Sequence, residues 1–202
     1  MNNTWNVLAK KETVEKTMNS LKENGIASFF AEDKEQAKEK ILEIIPEDAE
    51  VMNMTSMTLE EAEIAKEILE SKKYNPVRNI LEDKTKSEKE KQQAGATPDF
   101  AVGSVHAVTE DGKIAIASAT GSQLPAYAYG SKKVIFIVGI QKIVKNLDEA
   151  IKRIEDYVFP LEDQRALKAY GIHSGINKML IINKEVQPER ITVIFVNEKL
   201  GF

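Results

Sequence analysis

The spacing of apolar residues along this chain switches repeatedly between a helical and a strand period, and that rhythm predicts its elements. Residues 4–24 space Trp5, Leu8, Val14, Met18 and Leu21 near one helical face, with Asn24-Gly25 as the stop. A short strand is expected at 26–30. Asp33 then caps a helix whose Ala37, Ile41, Ile44 and Ile45 share a stripe, closed by Pro46. A strand at 50–54 runs through Thr55-Ser56-Met57-Thr58 into a helix over 59–69, with an apolar face wide enough to cover a sheet.

Residues 70–97 break the rhythm. Lys72-Lys73-Tyr74-Asn75-Pro76 reads as a loop, and EDKTKSEKEKQQAG lacks a strong apolar stripe. The segment is expected to be a charged, solvated connector or exposed helix within one domain. The rhythm resumes in 100–145. Strands at 101–109 and 113–118 flank Glu110-Asp111-Gly112, a hairpin signal. Thr120-Gly121-Ser122 then turns into a short helix over 123–129. VIFIV, inside the strand 133–139, has no polar alternation and belongs in the middle of a sheet. Residues 147–158 form a helix with Leu147, Ala150, Ile151, Ile154 and Val158 inward, ended by Pro160. Residues 161–178 are loop-rich with a short helix, and strands at 178–182 and 191–197 close the chain. Alternating strands and helices predict a three-layer α/β/α protein with a mainly parallel sheet. All 202 residues are expected to form one domain, with 1–30 its leading helix and strand.

Composition narrows the chemistry. A chain of this length buries roughly 70% or more of its unfolded surface, so its core needs no metal or disulfide staple. Net charge is −4, which supplies no overall basic field for nucleic acid or an anionic membrane. There is no cysteine, which excludes disulfides, thiolate zinc, iron–sulfur clusters and a cysteine nucleophile within the chain. Two histidines, His106 and His173, do not make a multi-histidine metal site. MNNTWNVLAKKE has no apolar signal region, so a soluble cytoplasmic protein without a membrane partner is expected.

In parallel sheets, ligands sit beyond the carboxyl ends of strands. Two stretches fit that position. One holds Thr55, Ser56 and Thr58, the other Thr120, Gly121, Ser122 and Gln123. Hydroxyls and free N–H groups at a helix start would bind phosphate or carboxylate. The plainer expectation is that Thr58 and Ser122 are helix caps worth about 1 kcal/mol each. Neither loop has the glycine spacing of a Walker or dinucleotide motif. Ser104 and His106 fall on one face of the expected strand 101–109, and His106 is a candidate acid, base or donor. Lys142 follows the buried strand. Glu162 or Asp163 offers a carboxylate base, and Arg165 a bidentate anion clamp. No triad order is present.

These residues also carry a family resemblance. GSVHAVTEDGKI, ATGSQLPAYAYGSKKVIFIVGIQKIVKNLDEAIKRI, PLEDQRA and RITVIFVNEKLGF together resemble the LUD (lactate-utilisation domain) family, and TSMTLEEA is similar to its Ser-x-Thr-Leu segment. The resemblance implies the α/β fold of ribose-phosphate isomerases, CoA transferases and formyltetrahydrofolate cycloligases. It further implies a link to growth on L-lactate, in a system with iron–sulfur oxidoreductase subunits. By position it matches Ser56 and Thr58 to one family loop and Thr120, Gly121 and Ser122 to another. Lys142 matches the lysine of a Gly-x-Asn-Lys-Ile segment, with Gln141 replacing asparagine. His106 stands where many members have asparagine. The cysteine-rich segment of many relatives is missing, so cluster roles fall away for this chain.

The sequence therefore points to a protein that binds a small anionic metabolite across the two hydroxyl-rich loops. His106, Lys142 and Glu162 are its acid/base candidates. Thr55, Ser56, Thr58, Ser104, Thr120, Gly121, Ser122, Gln123 and Arg165 are its ligand-binding candidates. A non-catalytic subunit of an oxidoreductase system is the alternative, ahead of a sugar-phosphate isomerase or cycloligase. No cofactor or metal follows from the residues, and a homo-oligomer is expected only from the general frequency of symmetric dimers.

Overall fold

The computed structural model describes residues 3–202. Its strands are β1 (Ala27–Ala31), β2 (Glu50–Asn53), β3 (Asn75–Pro76), β4 (Phe100–Gly103), β5 (Ala107–Thr109), β6 (Ile114–Ser118), β7 (Lys133–Gly139), β8 (Ile143–Val144), β9 (Lys178–Ile182) and β10 (Ile191–Val196). The helices are α1 (Lys11–Glu23), α2 (Lys34–Ile44), α3 (Met57–Glu61), α4 (Ile64–Glu70), α5 (Arg78–Glu82), α6 (Glu88–Ala96), α7 (Leu147–Arg153) and α8 (Phe159–Tyr170).

Six strands form a parallel sheet in the order β1-β10-β7-β4-β2-β3. The protein is thus α/β, as its periodicity predicts. The run VIFIV lies in β7, paired on both sides by β10 and β4. Its alternation divides the core. Val134, Phe136 and Val138 pack on one face with Val14 and Leu21 of α1. Ile135 and Ile137 pack on the other with Ala37 and Ile41 of α2 and with Leu59, Ile64 and Ile68 of α3 and α4.

A second, four-stranded sheet, β8-β5-β6-β9, is added to this plan. The Asp-Gly hairpin holds, since β5 and β6 are antiparallel, with Ala107 opposite Ala115. Val108, Ile114 and Ile116 face the six-stranded sheet, whereas Ala107 and Ala115 pack under Ala150 and Ile154. Small alanines let α7 lie close to that sheet.

Several expected boundaries move. The first helix begins at Lys11, because Val7 and Leu8 stay 62% and 38% exposed and extend no buried face. The helix expected at 59–69 starts earlier and breaks at Glu63, which adopts φ 56. Residues 70–97 carry β3, α5 and the exposed α6, whose Ser87 and Glu90 form a reciprocal cap. Pro160 does not end its helix. A π-helical turn, Ile154–Val158, widens the helix just before it, so the missing N–H is absorbed and α8 continues to Tyr170.

The largest departure lies at 101–109, expected as one strand. The chain leaves the six-stranded sheet after Gly103, passes through Ser104, Val105 and His106, and enters the second sheet at Ala107. A parallel event occurs beside it. After Gly139 the chain makes a 3-10 turn, Ile140–Lys142, and enters the second sheet as β8, which pairs with β5. Two crossings therefore run side by side from one sheet to the other.

Candidate functional site

A cavity of about 480 Å³ opens beyond the carboxyl ends of β2, β4 and β7. The strand order doubles back here. From β2 the chain turns into α3 on one face, whereas from β4 it crosses to the second sheet on the other, leaving a crevice between adjacent strand ends. Thr55, Ser56 and Thr58 line one side. Ser104, His106 and Lys142 come from the two crossings. Thr120, Ser122 and Gln123 follow β6, and Glu162 and Arg165 project from α8.

Eleven of the twelve residues marked in the sequence thus line one cavity. Gly121 does not, and its N–H donates to Ser118 Oγ at 2.8 Å. The two loops do not belong to one parallel sheet, because β6 is antiparallel to both its neighbours. Neither Thr58 nor Ser122 is a helix cap. The N-cap of α3 is Ser56, whose hydroxyl makes no capping bond. Ser122 Oγ instead accepts from Thr120 Oγ1 at 3.1 Å, and the helical turn that follows starts two residues on, at Leu124. The first loop presents its hydroxyls at the start of α3, and the second presents them just ahead of the turn at Leu124.

Lys142 is 2% exposed. Its Nζ donates to Thr58 Oγ1 at 2.8 Å and to Ser104 Oγ at 3.1 Å. Burial, with added repulsion from Arg153, lowers its pKa to about 7. Thr58 Oγ1 in turn donates to the Leu200 carbonyl at 3.2 Å, which Gln141 Nε2 also reaches at 3.0 Å. The terminal Leu200-Gly201-Phe202 segment therefore props the lysine's partner. Gly201 lies at φ 60, and a Cβ there would meet Thr58 Oγ1 at 2.5 Å, so this seat needs glycine. Gly103 is likewise required by contact, since a Cβ would overlap the Tyr127 hydroxyl.

His106 is held by the second sheet. Its backbone N–H donates to Ala115 O at 3.1 Å, and its Nδ1 accepts the Ala117 N–H at 3.0 Å. Burial first, then the charges of Lys142 and Arg153, lower its pKa to about 3. The ring is neutral at physiological pH, and its one proton sits on Nε2. This makes it a hydrogen-bond donor rather than a titrating acid. Beneath it, the buried Arg153 donates to the His106 carbonyl.

Glu162 is less free than its sequence position suggests. Both of its oxygens accept from Arg165, at 2.7 Å each, and Arg165 lies over the Tyr170 ring at 5.5 Å. Asp163 turns away to the exposed His173, 3.0 Å from its Nδ1. The sequence reading missed Arg78, which also lines the cavity. Its Nε donates to Asn53 O at 3.1 Å and its Nη2 to Thr55 Oγ1 at 2.7 Å. Nothing in the charged run around it distinguishes Arg78; its place comes from α5 packing beyond β3. Met54, Leu81, Ile116, Tyr127 and Phe202 give the cavity its apolar wall.

Among known structures, a DUF162 family protein from Deinococcus radiodurans aligns with a TM-score of 0.59 and 13% identity, covering 95% of this chain and all of that one. At that identity the likeness speaks for the fold alone. The eIF2B delta protein of Chaetomium thermophilum aligns at a TM-score of 0.35 and 14% identity, over 70% of this chain and 58% of that one, too weakly to carry an argument. No protein with a curated description matches the sequence. The profile of the LUD domain, however, matches residues 14–196, which include both crossings and every residue of the cavity but Phe202. With nearly its whole length matched, the chain belongs to the LUD domain family.

Proposed function

We propose that this cavity binds a small organic anion, a carboxylate or phosphate compound, for organic-acid metabolism in the cytoplasm. One observation carries the reading. Arg78 and Lys142 both line the cavity, and among the described residues neither forms an ion pair with a carboxylate. A guanidinium and a partly protonated amine lining one cavity, neither of them ion-paired, suit an anionic ligand. Hydroxyls from Thr55, Ser56, Thr120 and Ser122 supply the directional donors around them, and the volume suits a small metabolite. Arg165, already satisfied by Glu162, forms the rim rather than the clamp. The family's association with lactate utilisation supports organic acids as the first ligands to try.

Calorimetry with lactate, pyruvate, inorganic phosphate and a CoA ester tests this. At least one is expected to bind saturably, and Arg78→Ala and Lys142→Met are each expected to weaken it by about tenfold or more. No binding across the panel, or binding indifferent to both substitutions, overturns the reading.

A further inference from the structure

The surroundings of Lys142 reach beyond anion binding. Thr58 gives its own hydroxyl proton to Leu200 O, so toward Lys142 it acts only as an acceptor. A neutral amine has two N–H bonds and one lone pair. With the N–H bonds turned onto Thr58 and Ser104, the lone pair is the tetrahedral position left for a ligand. Burial without a paired carboxylate favours that neutral form. The same cavity presents His106, whose Nδ1 is taken by the Ala117 N–H, leaving a neutral Nε2–H. An electron-pair donor and an uncharged hydrogen-bond donor facing one space suit addition to a carbonyl: the amine meets the carbon and the imidazole N–H steadies the oxygen.

We propose that Lys142 forms an imine with a small carbonyl compound carrying an anionic group, a 2-oxo acid or a phosphorylated aldehyde, whose charge is held by Arg78. The proposal rests on the anion-binding reading above. The Nζ lone pair forms the N–C bond as the carbonyl π pair moves onto oxygen. One amine hydrogen passes to that oxygen to give the carbinolamine. The second leaves with the hydroxyl group as water while the nitrogen pair closes the C=N bond. No oxidant or reductant enters the step.

The test is reductive trapping on the wild-type protein near neutral pH. Pyruvate, glyceraldehyde 3-phosphate and, as an uncharged comparison, acetaldehyde are each added with sodium cyanoborohydride, and adducts are located by peptide mass mapping. Lys142 is expected to be labelled about tenfold faster than any other lysine, because its neutral fraction is so much larger. Arg78→Ala should slow both anionic compounds and leave acetaldehyde unchanged. The compound whose labelling Arg78→Ala slows more identifies the anionic group. An unlabelled Lys142, or labelling spread evenly over surface lysines, overturns the imine. If calorimetry then still shows anion binding that Arg78→Ala weakens, the binding reading survives alone; if that too is absent, both fall.

Discussion

At the scale of single residues, the site is defined by two buried groups whose positive charge is suppressed, one fully and one in part. His106 is neutral because burial and two neighbouring cations oppose a further charge. Lys142 sits near its midpoint at physiological pH, shifted from 10.5 to about 7. That shift has a consequence for folding. Below about pH 7 the lysine is protonated in both the folded and unfolded chain. Between 7 and 10.5 the unfolded chain still holds a proton that the fold sheds, so stability rises with pH and levels off above the window. One such group contributes at most about 1.4 kcal/mol per pH unit. Denaturant titrations across this range should show the slope in the wild type and a flatter one in Lys142→Met; an unchanged slope would mean that the amine titrates normally. His106 is visible to sequence reading as a rare residue type, and the hydroxyls and Lys142 by their places directly after strands. Arg78 is not, because one arginine among so many surface charges carries no local mark, and only the tertiary fold takes it to the cavity.

At the scale of elements, the informative parts are short connections. Gly201 must occupy φ 60 against Thr58, and Thr58 supports Lys142. Gly201→Ala is expected to cost about 1–3 kcal/mol through strain and contact, and to slow trapping at Lys142 as Thr58, which orients the amine, is displaced. Thermal unfolding and trapping rates would check the two effects separately. The regular elements were the legible ones. An uninterrupted apolar run marks β7, and Asp111-Gly112 marks the hairpin, since both signals are local. The break at Ser104–His106 is marked only by Gly103, a weak local signal between two strand-forming runs, and the geometry of two sheets is what requires the chain to bend there. Pro160 misled for a related reason: a π turn accommodates it, and a π turn leaves no sequence signature.

At the scale of the whole molecule, stability is graded outward from β7 and β10. Every residue of β7 after Lys133 is buried, whereas α6 buries none. Native-state hydrogen exchange should therefore be slowest in β7 and β10 and fast in α6, through local opening. Equal protection in α6 would imply a further surface that covers it. The two crossings have a wider meaning. The amine, its two hydroxyl partners and the imidazole reach the cavity on three separate stretches of chain: α3, the link from β4 to β5 and the link from β7 to β8. Their relative placement is set by how one sheet is seated on the other, through side chains such as Val108 and Val138 that do not line the cavity. Reactivity at Lys142 is then adjustable from the seam. A methyl group gained or lost between the sheets would retune the amine while every wall residue stayed the same, so descendants of this chain could diverge in chemistry with an unaltered cavity lining.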